Sequence, residues 1–220
     1  MTDKTMNLAQ ELIRIANVLR ERGLLFRGAH ANLSGREDDR LLITRGGSVA
    51  NLGEKDLAWL PIAAEDLRQD FDPNYREIVD MHTRLYQHRA DVGAIIHCHP
   101  THSTAFAVAQ QSIPAVYEPM LRQGIHTDVP VVAWAPRGSS ASVNGILEAF
   151  DAPDTVAVLL ANHGVLVTGD SPETAVNRLT ALEEAAELVL HARVLGGEKA
   201  LPEAAYQEVA ERMQRYRKAS

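Results

Sequence analysis

Residues 91–100 read Asp91-Val92-Gly93-Ala94-Ile95-Ile96-His97-Cys98-His99-Pro100. A glycine opens the apolar run and a proline closes it, so Gly93–Cys98 is predicted to be a buried β-strand. In a strand, residues i and i+2 share a face with Cα atoms about 6–7 Å apart, so the imidazoles of His97 and His99 can converge on one ion. Cys98, the chain's only cysteine, then points to the other face and reads as a small packing residue rather than a ligand. An H-x-H pair arises often by chance, and a second signal is needed to make it a site.

That signal is Ala161-Asn162-His163-Gly164, between the β-rich segments Val156–Leu160 and Val165–Thr168. A histidine in a glycine-flanked turn at a strand end is held rigidly and partly exposed, which is how a third ligand is presented. A turn histidine that caps nearby carbonyls has the same local sequence. As ligands, the neutral imidazoles of His97, His99 and His163 around zinc would leave an open coordination position, the arrangement of a catalytic ion. Manganese, cobalt and iron suit the same donors.

Working outward, Leu8, Leu12, Ile15 and Leu19 recur at helical spacing before Gly23, predicting a helix over residues 5–22. Ala31–Arg36 and Leu41–Thr44 flank a polar turn as a hairpin that runs into Gly46-Gly47. Trp59–Ile62 is predicted as a strand, Asp70–Asn74 as a loop and Tyr75–Gln87 as a helix. Ser103–Gln110 follows as a short helix, Val129–Trp134 as a strand and Ser139–Phe150 as a helix. Ser171 as N-cap and Pro172 at the first helical position open a long helix that ends at Gly196-Gly197, and Pro202 starts the last. The stripe of Leu179, Leu182, Ala186 and Val189 along the long helix is a core or subunit contact. No repeat or linker divides the chain, so residues 1–220 are expected to form one α/β domain with helices on a central sheet.

The 220 residues, 45% of them hydrophobic, suffice for a sizeable core, and a formal charge of −7 without a basic stretch argues against nucleic acid or an anionic membrane as partner. No run approaches the roughly 20 apolar residues of a membrane span, and Met1-Thr2-Asp3-Lys4 does not begin a signal peptide. A cytoplasmic protein is expected, and a single cysteine fits a reducing compartment.

Taken together, the Asp91–Pro100 run, Ala161-Asn162-His163-Gly164, Asn32-Leu33-Ser34, Leu42-Ile43-Thr44 before a glycine loop, and His82 with Tyr86 ahead of the H-x-H strand resemble the class II aldolase/adducin family over approximately residues 8–195. The resemblance implies a three-layer α/β/α fold with a mainly antiparallel central sheet, assembled as a homotetramer. It also implies a divalent metal, usually zinc, on His97, His99 and His163. The activity implied is that of a lyase cleaving a C–C bond in a small, anionic, sugar-phosphate-like substrate, with the metal as Lewis acid toward an enediolate. Decarboxylases of hydroxy or keto acids belong to the same family, as do adducin-like heads without catalysis, though an intact histidine set argues against the latter.

The sequence departs from the aldolases at the acid/base. They carry S-S-E at the start of the helix, with the glutamate four residues ahead of the histidine matching His82; here that position is Ile78, the serine positions are Arg76 and Glu77, and Glu77 is one residue out of register. A one-residue step turns a helical side chain by about 100°. Glu77 is nonetheless the candidate base, with first-turn stabilisation of the helix dipole as the plain alternative. An anion pocket is expected around Asn32, Thr44, Gly46, Gly47 and Ser48, with Arg45 or Arg76 adding charge. Glu118, at the position of the aldolases' proton-donating tyrosine, and the adjacent Tyr117 are candidate proton shuttles. His30 is a substrate contact or a loop histidine, and His102 is at most a supporting residue behind the ligands.

Overall fold

The computed structural model describes residues 6–27, 29–63, 71–72 and 75–219. The expected loop at Asp70–Asn74 therefore falls mostly outside the described residues, as does the start of the first expected helix at Thr5. Fifteen elements follow in order: α1 (Leu8–Glu21), β1 (Ala31–Glu37), β2 (Arg40–Thr44), a 3₁₀ turn (Glu54–Asp56), β3 (Leu57–Pro61), α2 (Arg76–His88), β4 (Ala94–Cys98), α3 (Thr101–Ala109), α4 (Glu118–Arg122), β5 (Val131–Val132), α5 (Ser140–Ala149), β6 (Ala157–Leu160), β7 (Gly164–Gly169), α6 (Pro172–Val194) and α7 (Glu203–Ala219).

The strands form one seven-stranded sheet in the order β3-β2-β1-β4-β7-β6-β5. Every pairing is antiparallel except β5 with β6. The strand expected over Val129–Trp134 shrinks to two residues. Pro130 has no N–H to give a ladder, and Trp134 is 66% exposed beyond the sheet edge. The expected helices are present with ends shifted by one to three residues. Asn7 caps α1 with a reciprocal Gln10 bond, and Ser171 caps α6 through the Thr174 N–H, as its position before Pro172 predicts. The short α4 carries no periodic signal and is not predicted from sequence.

Strand alternation divides the interior into two apolar layers. Leu33, Leu42, Ile96, Cys98, Val165 and Val167 face α1, α3 and α6. Leu41, Ile43, Ile95, Val158 and Leu166 face α2 and α5. The sheet is thus covered on both faces, and the predicted Leu179–Val189 stripe is fully core. His97 shares the Ile95 face, toward α2 and α5. Cys98 belongs to the opposite core, where burial pushes its thiol pKa up and away from the thiolate a ligand requires.

Candidate metal centre

β1 and β7 flank β4 on either side, pairing His97 with Asn32 and with Leu166, so the strand end bearing the histidines is braced from both directions. His97 Nδ1 lies 2.9 Å from the Val165 carbonyl and His99 Nδ1 lies 3.3 Å from the His30 carbonyl. A carbonyl only accepts, so each Nδ1 carries the proton and each Nε2 is left as a free donor atom for an ion. His163 arrives from the β6–β7 turn, where Asn162 takes the left-handed conformation at φ 57°. That turn is fixed by the Asn162 N–H donating to the Ala107 carbonyl at 2.9 Å and by Gln110 Nε2 donating to Asn162 Oδ1 at 3.0 Å. Asparagine tolerates this conformation better than most side chains. Gly164 is required by space: a Cβ there would lie 2.5 Å from His99 Cδ2 and 2.6 Å from the Cys98 carbonyl.

The three rings stand with centroids 4.7–5.0 Å apart, and one ligand atom from each lies within 4.8 Å of the others. Burial lowers all three pKa values. His97, wholly enclosed, is further lowered by His163 and His99; His163 falls to about 4, with His99 and the Arg137 guanidinium adding to the burial. Three neutral imidazoles, two of them tied through Nδ1 and each bringing a ring nitrogen to the same point, fit a divalent cation, which needs the unprotonated nitrogen.

The histidines open into a cavity of about 340 Å³ that is also lined by His30, Asn32, Gly47, Tyr75, Glu77, Ile78 and Arg137. Its walls sort the expected residues. Glu77 reaches the cavity despite its register because α2 begins only at Arg76, so Glu77 stands in the first turn, 2.6 Å from the Arg137 guanidinium. Asn32 is buried in the wall and its Oδ1 accepts from His82 Nε2 at 2.5 Å. Gly47 lines the cavity, whereas Gly46 is exposed and does not. Thr44 does not reach it either: its hydroxyl is occupied by the Leu33 N–H at 3.3 Å and the Tyr75 hydroxyl at 2.8 Å.

Arg76, expected to add charge to the anion pocket, is exposed at the first position of α2, and its Nε donates to the Phe71 carbonyl at 3.3 Å. It is not a wall residue; Arg137, 61 positions along the chain, supplies the cavity's guanidinium instead. Tyr117 and Glu118 also lie off the cavity. Tyr117 packs on the core beneath α3 and α6, and Glu118 pairs with Arg122 one turn along α4. His102 is a structural residue: Glu183 on α6 accepts from the His102 and Ser103 N–H groups, each at 2.8 Å, and so caps α3.

The chain matches the model of the Class II Aldolase and Adducin N-terminal domain over residues 10–190. It belongs to that family. It is 32% identical over 191 residues to 3-oxo-tetronate 4-phosphate decarboxylase of Escherichia coli (strain K12), covering 83% of this chain and 86% of that protein. To 5-methylthioribulose-1-phosphate/5-deoxyribulose-1-phosphate aldolase of Rhodospirillum rubrum it is 30% identical over 193 residues, 87% and 85% of the two chains. Among solved structures, an L-fuculose 1-phosphate aldolase superposes with a TM-score of 0.81 at 28% identity, covering 94% of this chain and 95% of that one. The sheet order and helix layers described above are therefore those of class II aldolases. Arg137 and Tyr75 are among the wall residues that sequence reasoning missed, and neither stands in a motif that advertises it.

Proposed function

We propose that the protein is a metal-dependent lyase that cleaves a C–C bond beside a carbonyl in a small sugar-phosphate-like substrate by aldol cleavage. One observation carries the reading: three neutral imidazoles, two of them locked through Nδ1 to backbone carbonyls, share a cavity with a carboxylate and an amide. A zinc ion, or another divalent metal, held by His97, His99 and His163 would supply Lewis acidity toward the substrate carbonyl oxygen. Glu77 takes the proton of the hydroxyl on the carbon being released; that hydroxyl becomes a carbonyl, the C–C bond breaks, and its electron pair passes to the carbon beside the substrate carbonyl. Asn32 and the chain at Gly47 receive the anionic end, and the apolar wall at Ile78 excludes water. Tyr117 and Glu118 can enter the reaction only if a second copy of the chain brings them, which accords with the homotetramer expected of the family. A cytoplasmic location is part of the same proposal; among the described residues no helix is long and apolar enough to cross a membrane.

Arg137 favours a second reading, decarboxylation of a keto acid phosphate. A guanidinium in the cavity suits a carboxylate, and the decarboxylase relative acts, by its name, on a 3-oxo acid phosphate. The deciding experiment supplies the metal-loaded protein with ketose phosphates and 3-oxo-acid phosphates while aldehyde and carbon dioxide are followed separately. Aldehyde release from a ketose phosphate supports the first reading and carbon dioxide alone the second. Neither product from any substrate, with metal bound, overturns both.

A further inference from the structure

Four buried polar side chains run from beneath α2 to the cavity wall. Tyr86 and His82 stand one helical turn apart on α2, and Ser34 and Asn32 lie two apart on β1, hence on one face of that strand. The Tyr86 hydroxyl is 2.9 Å from Ser34 Oγ, which is 2.7 Å from His82 Nδ1. His82 Nε2 in turn is 2.5 Å from Asn32 Oδ1. Of the four, Asn32 alone lines the cavity.

The chain has a direction. Ser34 Oγ is the one hydrogen-bond partner of the Tyr86 hydroxyl among the described residues, and a buried O–H that fails to donate is strongly disfavoured, so Tyr86 donates to Ser34. Ser34 then donates to His82 Nδ1, which is therefore unprotonated. Complete burial keeps the ring neutral, with a pKa near 3, so its single proton sits on Nε2 and is donated to the Asn32 carbonyl oxygen. The Asn32 amide nitrogen has no partner among the described residues and is not an enclosed orphan.

We infer that Tyr86, Ser34 and His82 are positioning residues that fix the Asn32 side chain so that the cavity meets its N–H₂ end and never its carbonyl oxygen. A freely rotating amide would offer an acceptor half the time and repel a phosphate or carboxylate oxygen; the fixed one offers only donors. The inference deepens the proposed function and rests on it in one respect, that the substrate end received here is an anion.

Two measurements on the metal-loaded, full-length protein test it. With ¹⁵N-labelled histidine, two-bond ¹H–¹⁵N correlations of His82 should report the neutral Nε2–H form; the Nδ1–H form overturns the inference. Second, the dissociation constant of inorganic phosphate is compared between His82→Gln, whose amide N–H can replace Nε2–H, and His82→Leu, which donates nothing. His82→Gln should bind phosphate within about threefold of the parent and His82→Leu at least about tenfold more weakly, because a hydrogen bond to an anion is at stake. Unchanged affinity in a folded, metal-loaded His82→Leu protein also overturns it. If that variant does not fold, the tautomer decides. Phosphate that binds no form of the protein counts against the anionic-substrate reading, and the tautomer again decides the positioning chain.

Discussion

The Glu77 carboxylate lies 2.6 Å from the Arg137 guanidinium at the wall of the histidine cavity. Gly138 makes the approach possible. Its φ of 72° is costly for other residues, and a Cβ there would sit 2.9 Å from Glu77 Oε2. The candidate base is thus held by a cation on a loop, in a position from which an anionic substrate can compete for the same cation.

If Glu77 carries the proton, the isosteric Glu77→Gln protein should lose about 10²- to 10⁴-fold in kcat. Its metal content, measured by elemental analysis, should be unchanged because Glu77 is not among the three clustered ligands. Activity retained within a factor of about three would remove Glu77 from the chemistry.

Arg137→Met separates substrate binding from stability. The arginine side chain is 61% exposed, so its ion pair contributes little to folding and the denaturation midpoint should move by less than about 0.5 kcal/mol equivalent. The KM for an anionic substrate should rise about tenfold or more if the guanidinium grips it. The matching change at the exposed Arg76 should leave KM where it was. An effect at Arg76 and none at Arg137 would reverse the assignment.

Replacing His97 or His99 by alanine removes one of three converging nitrogens and should abolish metal retention through gel filtration, with far-ultraviolet circular dichroism preserved. Two single variants that both keep one metal per chain would place the ion elsewhere.

What the chain discloses before folding follows the range of the interactions. The His97/His99 pair is legible because strand periodicity is a local property, and the same alternation sends Cys98 into the opposite core. His163 is legible because Asn162 and Gly164 mark a tight turn. Glu77 is half legible: the residue can be named, but its aim depends on where α2 starts, and Tyr75 at the N-cap offers no side-chain bond that would announce it. Arg76 is the guanidinium that the sequence suggests and Arg137 the one that enters the cavity, since only the packing of the loop before α5 against α2 decides between them. The Thr44 hydroxyl was legible as a donor, but not its capture by the Tyr75 hydroxyl, 31 residues along the chain.

Cys98 supplies a test of the two-layer architecture that is independent of catalysis. It is fully buried among apolar side chains, so Cys98→Ser puts a hydroxyl there and should cost about 1–3 kcal/mol in denaturant unfolding. Metal content should not change. Loss of metal from a folded Cys98→Ser protein would mean that the strand does not alternate as described.

His82 makes stability depend on pH in a definite direction. Burial lowers its folded-state pKa to about 3, whereas in the unfolded chain the imidazole titrates near its ordinary value of about 6.5. Below about 6.5 the unfolded chain therefore binds a proton that the folded chain refuses, and ν for the unfolded state exceeds ν for the native state. Stability is then unaffected by His82 above that pH and falls as the pH drops toward 3, with a limiting slope of about 1.4 kcal/mol per pH unit from this one group. His82→Gln does not titrate. Unfolding free energies measured by urea at pH 7, 6, 5 and 4 should therefore decline more steeply for the parent than for His82→Gln, with the two slopes equal above pH 7. Parallel curves across the whole range would mean that His82 is charged or solvated in the folded protein, and that the chain from Tyr86 to Asn32 is not closed.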